Sequence, residues 1–261
     1  MSSDAENRDF YSGPMKTNAN ELDSVVWEIQ QYLAFLKIVG CRGVDLGQKS
    51  IDIIGSWEKT DPKDSTRSVP VSLRAVFDAF LQCRRCGLAD TKMASVFGAG
   101  AENAQLMFIG FAPEKGDEIT GQPYTGKAGA LLTRIIEAMG LDRNSVYISH
   151  AVKCFPQEGR LPGKWEARAC RYYLVRQVHA IKPSVICVLG ETAASALLRS
   201  HMPFERIRGK FQDFEGIPVM PTYDPAHLLV QPSAKRPVWE DMQKIMKKLD
   251  SGGSTPRFGT S

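Results

Sequence analysis

From residue 105 onward the chain alternates between short, uninterrupted apolar runs and stretches of helical periodicity. The apolar runs fall at 105–110 (QLMFIG), 146–152, 185–189 and 218–223; the helical stretches fall near 127–139, 164–180, 190–199 and 235–248. Runs this short, without polar alternation, suit strands that are buried on both faces. Their alternation with helices predicts an α/β fold: a parallel four-stranded sheet flanked by helices. Ligands of such sheets bind beyond the carboxyl ends of the strands. The loops after Gly110, Ser149, Leu189 and Tyr223 are therefore where chemistry is expected.

The rest of the chain sorts around that domain, which is assigned to residues 71–249. Residues 1–20 are polar and acidic and read as a disordered leader. An N-terminal helical extension is expected over 21–57, where Val25, Val26, Ile29, Leu33 and Leu36 recur at helical spacing before Gly40. A linker is expected over 58–70 (EKTDPKDSTRSVP) and a disordered tail over 250–261. A further helix, with Leu73, Val76, Phe77 and Phe80 on one face, delivers the chain to Cys83. Residues 1–70 hold 8 Lys/Arg against 11 Asp/Glu, whereas the remainder holds 25 against 18. That moderately basic balance is compatible with nucleic acid without demonstrating it. The start has no basic, then apolar, signal pattern and no run reaches about 18 apolar residues, so a cytoplasmic chain without a membrane anchor is expected. A monomer is expected, with a protein partner as one reading of the N-terminal helix.

Six cysteines stand at 41, 83, 86, 154, 170 and 187. Cys83 and Cys86 form a CxxC pair, with Cys154 at the end of a predicted strand and Cys170 after it. One close pair and two distant thiols can converge on a four-thiolate site, for zinc or for an iron–sulfur cluster, and thiol count alone does not separate the two. Four unrelated buried thiols are the plainer alternative. Cys41 and Cys187 sit in apolar contexts and read as packing residues.

The succession CRRCGLADT, VFGAG, LMFIGFAP, GQPYTGKAGALL, VYISHAVKC, IKPSVICVLGETAA, IRGKF and IPVMPTYDPAHLL resembles the family 4 uracil-DNA glycosylases, from about residue 83 to 249. The resemblance implies a [4Fe–4S] cluster on Cys83, Cys86, Cys154 and Cys170, zinc being the alternative, and DNA, single- or double-stranded, as partner. It implies base binding by Phe111, Ala112, Pro113, Tyr124 and His150, with Tyr124 stacking on a flipped base. Asp117 and Glu118 match the acidic pair that positions water. Lys127 at a helix start, His227, and the apolar wedge Leu228–Leu229 are assigned to DNA. Lys153, Arg160, Lys164 and Arg208 are further phosphate candidates, and His179 and His201 read as surface residues.

Three positions depart from the family pattern. Its Gly-Glu-Ala-Pro-Gly reads Gly110-Phe111-Ala112-Pro113-Glu114 here; its Asn is His150; its His-Pro is Asp224-Pro225. Glycosidic cleavage leaves negative charge on the departing base, and an ionised Asp224 repels a uracil anion unless burial protonates it. An ionised carboxylate accepts from an exocyclic amine, and His150 can donate to a base carbonyl or carry a proton near neutral pH. Asp224, His150, Asp117 and Glu118 are thus the catalytic candidates, and a modified, cytosine-type base the expected target. A uracil glycosylase with rearranged groups and a non-catalytic binder of flipped bases remain the alternatives.

Overall fold

The computed structural model describes residues 72–91, 93–156, 159–198 and 202–251. The expected leader, N-terminal helix, linker and most of the tail, with His201, lie outside the described residues.

The domain is a six-stranded mixed sheet: β1 (Ala99–Gly100), β2 (Leu106–Gly110), β3 (Tyr147–His150), β4 (Val185–Leu189), β5 (Gln212–Phe214) and β6 (Ile217–Thr222), in the order β1-β3-β2-β4-β6-β5. The four expected strands are its parallel centre, β3-β2-β4-β6. The purely parallel, four-stranded expectation is corrected at both edges, where β1 and β5 pair antiparallel. Neither edge has an apolar run to announce it. β1 is two residues long, and a Cβ at Gly100 would fall 1.8 Å from the Val146 carbonyl oxygen. β5 joins β6 through Glu215 and Gly216, both at positive φ, as a two-residue hairpin turn demands.

The helices among the described residues are α1 (Leu73–Leu81), α2 (Leu88–Thr91), α3 (Lys115–Thr120), α4 (Lys127–Ala138), α5 (Lys164–Ile181), α6 (Glu191–Leu198), α7 (Phe204–Ile207), α8 (Pro225–Val230) and α9 (Lys235–Ser251). Strand alternation sends side chains to opposite faces of the sheet. Leu106 and Phe108 of β2 pack with Leu132 and Ile136 of α4 and with Met242 and Ile245 of α9. Met107 and Ile109 pack with Phe80 of α1, Leu174 and Val178 of α5, and Leu197 of α6. Each such side chain contributes about 1.5–3 kcal/mol on burial. Cys187, wholly buried in the first of these layers, is the packing residue expected. The helix reaching Cys83 is α1, started by Ser72, whose hydroxyl accepts from the Ala75 N–H. No helix among the described residues is long and apolar enough to cross a membrane.

Candidate active site and thiol cluster

Because β2, β3, β4 and β6 run parallel, Gly110, His150, Leu189 and Thr222 end at one edge of the sheet. The loops leaving Gly110 and His150, the turn before α4 and the start of α8 enclose a cavity of about 280 Å³ there. Phe111, Ala112, Pro113, Tyr124, Asp117, His150 and Asp224 all line it. The sequence had spread these residues over more than a hundred positions.

Tyr124 is the centre of the arrangement. It sits at φ 56, an unusual conformation for a residue with a side chain. Glycines make room for it: a Cβ at Gly110 would lie 2.2 Å from its hydroxyl oxygen, and one at Gly129 1.7 Å from its carbonyl oxygen. Its ring stacks on His150 at 4.9 Å and 16°. Its hydroxyl donates to Asp224 Oδ2 at 2.8 Å. Burial first, then the Asp224 charge, pushes its pKa well above the ordinary tyrosine value, so the hydroxyl stays a neutral donor.

Asp224 caps α8: its Oδ1 accepts from the Ala226 N–H at 2.7 Å. Burial raises its pKa, while the Ala226 N–H, the Tyr124 hydroxyl and His227 pull the other way. Asp117 is a pin between loops. Its Oδ1 accepts from the Thr125 N–H and hydroxyl, both at 2.7 Å, and its Oδ2 from the Glu114 N–H at 3.2 Å. His150 Nε2 stands 3.9 Å from Asp117 Oδ2, and its Nδ1, fully buried, has no hydrogen-bond partner. Burial drives the His150 pKa far below its ordinary value, against the pull of Asp117 and with the push of Lys153. Burial therefore favours the neutral imidazole in the free protein.

Glu118, the second member of the acidic pair, is buried outside the cavity lining, with Oε1 accepting from the Met93 N–H at 2.9 Å. Glu114 was given no role from sequence, yet it lines the cavity. Burial, then Asp117 and Asp224, raise its pKa. The signal that could have found it is the acid standing where the family's motif has its last Gly.

The DNA candidates divide by exposure. Lys127 is exposed as the first residue of α4 and lies outside the cavity. Leu228 is 1% exposed and Leu229 44%, so the expected wedge is reduced to Leu229. His227 is exposed and stacks on Tyr223 at 4.8 Å. Lys164 is exposed; Arg160 lines the cavity and is bonded to Glu166. Lys153 is corrected: it is 0% exposed, and its Nζ donates to Ser149 Oγ and the His150 carbonyl at 2.6 Å each. Arg208 donates to Asp241 at 2.8 Å, and His179 pairs with Glu215.

Of the four matching thiols, Cys86, Cys154 and Cys170 share one apolar cluster with Phe111, while Cys83 packs against the larger core. Cys170 lies on the buried stripe of α5 with Leu174 and Val178, Cys154 follows β3, and the end of α1 delivers Cys83. Cys154 and Cys170 pack with Leu88 and Val152, with Cys86 and Phe111 against them, and none of the four is in a disulfide. Cys83 acts electrostatically on both Cys86 and Cys170. Burial pushes the Cys170 thiol up to about 12, so binding a metal there would release a proton. Among the described residues no three donors close on one ion.

Residues 97–244 match the Uracil DNA glycosylase superfamily. The chain is 38% identical to a type-4 uracil-DNA glycosylase of Saccharolobus solfataricus, over 69% of this chain and 88% of that one. It is 36% identical to the type-4 enzyme of Archaeoglobus fulgidus, over 67% and 92% respectively. To the type-4 enzyme of Thermotoga maritima it is 34% identical, over 69% and 96%.

Proposed function

The chain belongs to the uracil-DNA glycosylase superfamily, and we propose that it is a hydrolytic DNA N-glycosylase whose target base enters the cavity at the ends of β2 and β3. The observation that carries this reading is the convergence of Tyr124, His150 and Asp224, from three separate segments of the chain, on that cavity. An enzyme acting on a base must take it out of the stack and read it in such a pocket. The Phe111-Ala112-Pro113 loop and the Tyr124 ring hold the base, and Leu229 fills the gap it leaves. Hydrolysis then breaks the bond between the sugar C1′ and the base nitrogen. The bonding electron pair leaves with the base, and the oxygen of water adds to C1′.

The lining is rich in acceptors. Glu114, Asp117 and Asp224 bring three carboxyl groups to a lining that also holds Lys115 and Arg160, and burial favours neutral His150. Two of the four lone-pair sites on Asp224 are taken by Ala226 and Tyr124, which leaves two for an exocyclic amine. We propose on this basis that the released base is amine-bearing, a modified cytosine before an adenine derivative. The named activity of the relatives favours the second reading, uracil with rearranged groups. Single-turnover excision, read as strand breakage in alkali, decides. Oligonucleotides carry uracil, hypoxanthine or a 5-substituted cytosine. Faster release of the cytosine derivative is expected; faster release of uracil sinks the specificity reading. Binding without breakage on every substrate sinks the enzyme.

Cys83, Cys86, Cys154 and Cys170 are proposed to hold a [4Fe–4S] cluster. When bound, the group supplies a structural tie between α1, the β3 loop and α5, and no step of hydrolysis passes through it. Aerobically purified protein should be brown, and Cys154→Ser should be colourless and less stable. Colourless wild type with one zinc per chain would replace the cluster by zinc.

A further inference from the structure

We propose that Glu114 is a catalytic residue of this glycosylase: its carboxylate takes the proton of the attacking water and faces the sugar as positive charge develops. The proposal rests on the glycosylase reading above and assigns a residue within it.

The acids of this region differ in what they are free to do. Asp117 receives three protein donors, and Glu118 is turned to Met93 outside the cavity. Both oxygens of Asp224 receive protein donors. The Glu114 carboxylate takes part only in the capping box of α3, where it faces the Asp117 N–H, and it forms no ion pair among the described residues; it keeps free lone pairs and lines the cavity. A base that must accept a proton from water needs free lone pairs, and of the acids lining the cavity Glu114 is the least engaged by protein donors.

Its placement is fixed rather than incidental. Glu114 caps α3 directly after the Phe111-Ala112-Pro113 loop, and its backbone N–H is anchored on Asp117. Its Oε2 lies 3.3 Å from where a Cβ on Gly126 would stand, so the carboxylate reaches the turn that carries Tyr124. The acid therefore sits on the same wall as the ring proposed to hold the base. During reaction the water oxygen bonds to C1′ and one water proton passes to Glu114. The C1′–N bond breaks with its electron pair going to the base, which then takes that proton from Glu114. Charge and atoms balance without a further reactant. Burial and the two neighbouring acids raise the Glu114 pKa, which makes it a stronger base once ionised.

The test is single-turnover excision against pH, on whichever panel substrate wild type releases, with Glu114→Gln and Glu114→Ala. The Gln variant should lose about 100-fold or more in rate, the scale of general-base catalysis. Wild-type rate should fall on acidification as Glu114 protonates, and this acid limb should vanish in the variant. Lys115, Asp117, His150, Arg160 and Asp224 share the cavity. The limb belongs to Glu114 only if its removal abolishes it. Added formate should partly restore the Ala variant, which a structural role would not allow. A Gln variant within about threefold of wild type, with the acid limb intact, overturns the proposal while the glycosylase reading stands. Wild type inert on every substrate overturns both.

Discussion

Along β2, every residue from Leu106 to Ile109 is buried and apolar, and each has a helix on its own side of the sheet. Within eight residues of its end the chain has presented Glu114, Asp117 and Glu118, two of them as buried as the strand. The strand is held by surface area, which any well-shaped apolar residue can supply. The loops beyond it are held by directed bonds, in which Asp117 alone gathers three donors. One region is insensitive to chemistry and sensitive to volume; the other is the reverse.

The largest test of that contrast is volume. Phe108→Ala, at a position 0% exposed between α4 and the sheet, should cost about 3–5 kcal/mol. Denaturant melts would show it as a lower midpoint with little change in slope. A cost near 1 kcal/mol would mean that the layer collapses into the space, and the strand would not be the rigid half of the comparison.

The same contrast governs what the sequence made legible. Apolar runs and helical periodicity report area, so β2, β3, β4 and β6 and the four long helices after them were readable, whereas the short edges β1 and β5 were not. Motif resemblance brought the right loops together but gave no bonding. Nothing in the order of residues says that Tyr124 donates to Asp224 across a hundred positions, or that Lys153 turns inward to Ser149. Glu114 was passed over because the comparison of motifs weighed lost groups and not a gained one.

Chemistry without volume is the next test. Tyr124→Phe removes one oxygen and leaves Asp224 Oδ2 without its donor, at about 1–3 kcal/mol for the buried acceptor. The lost bond was lowering the Asp224 pKa, so that carboxyl should move further up, visible by carbon-detected NMR. An unchanged Asp224 titration would break the claim that these two residues act as a pair.

A third test uses pH. The folded His150 pKa is depressed, so the unfolded chain takes up a proton that the native state refuses as pH falls through the ordinary histidine range. Stability from this source is present above that range and lost below it. On going from pH 7 to pH 5 the loss is on the order of 1–2 kcal/mol. His150→Gln should flatten that part of the stability profile, measured by urea melts at each pH. Equal slopes in the two proteins would show that His150 titrates in the fold as it does in the unfolded chain.

The smallest effect separates two lysines that look alike in sequence. Lys127 is exposed at the start of α4, where helix N–H groups and a cation can meet a phosphate together. Lys153 is wholly enclosed and bonded inward. If both touched DNA, removing either would cut the salt dependence of binding, since each neutralised phosphate contributes about 0.9 to the slope on a duplex. Lys127→Ala should lower the slope by about that amount with base preference unchanged. Lys153→Met should leave the slope alone and instead lower the melting temperature, because Ser149 and the His150 carbonyl lose their donor. Fluorescence anisotropy across a salt series reads the first, and thermal melts the second. A slope lost in Lys153→Met, and kept in Lys127→Ala, would turn the buried residue outward and undo the distinction between bonded interior and open rim.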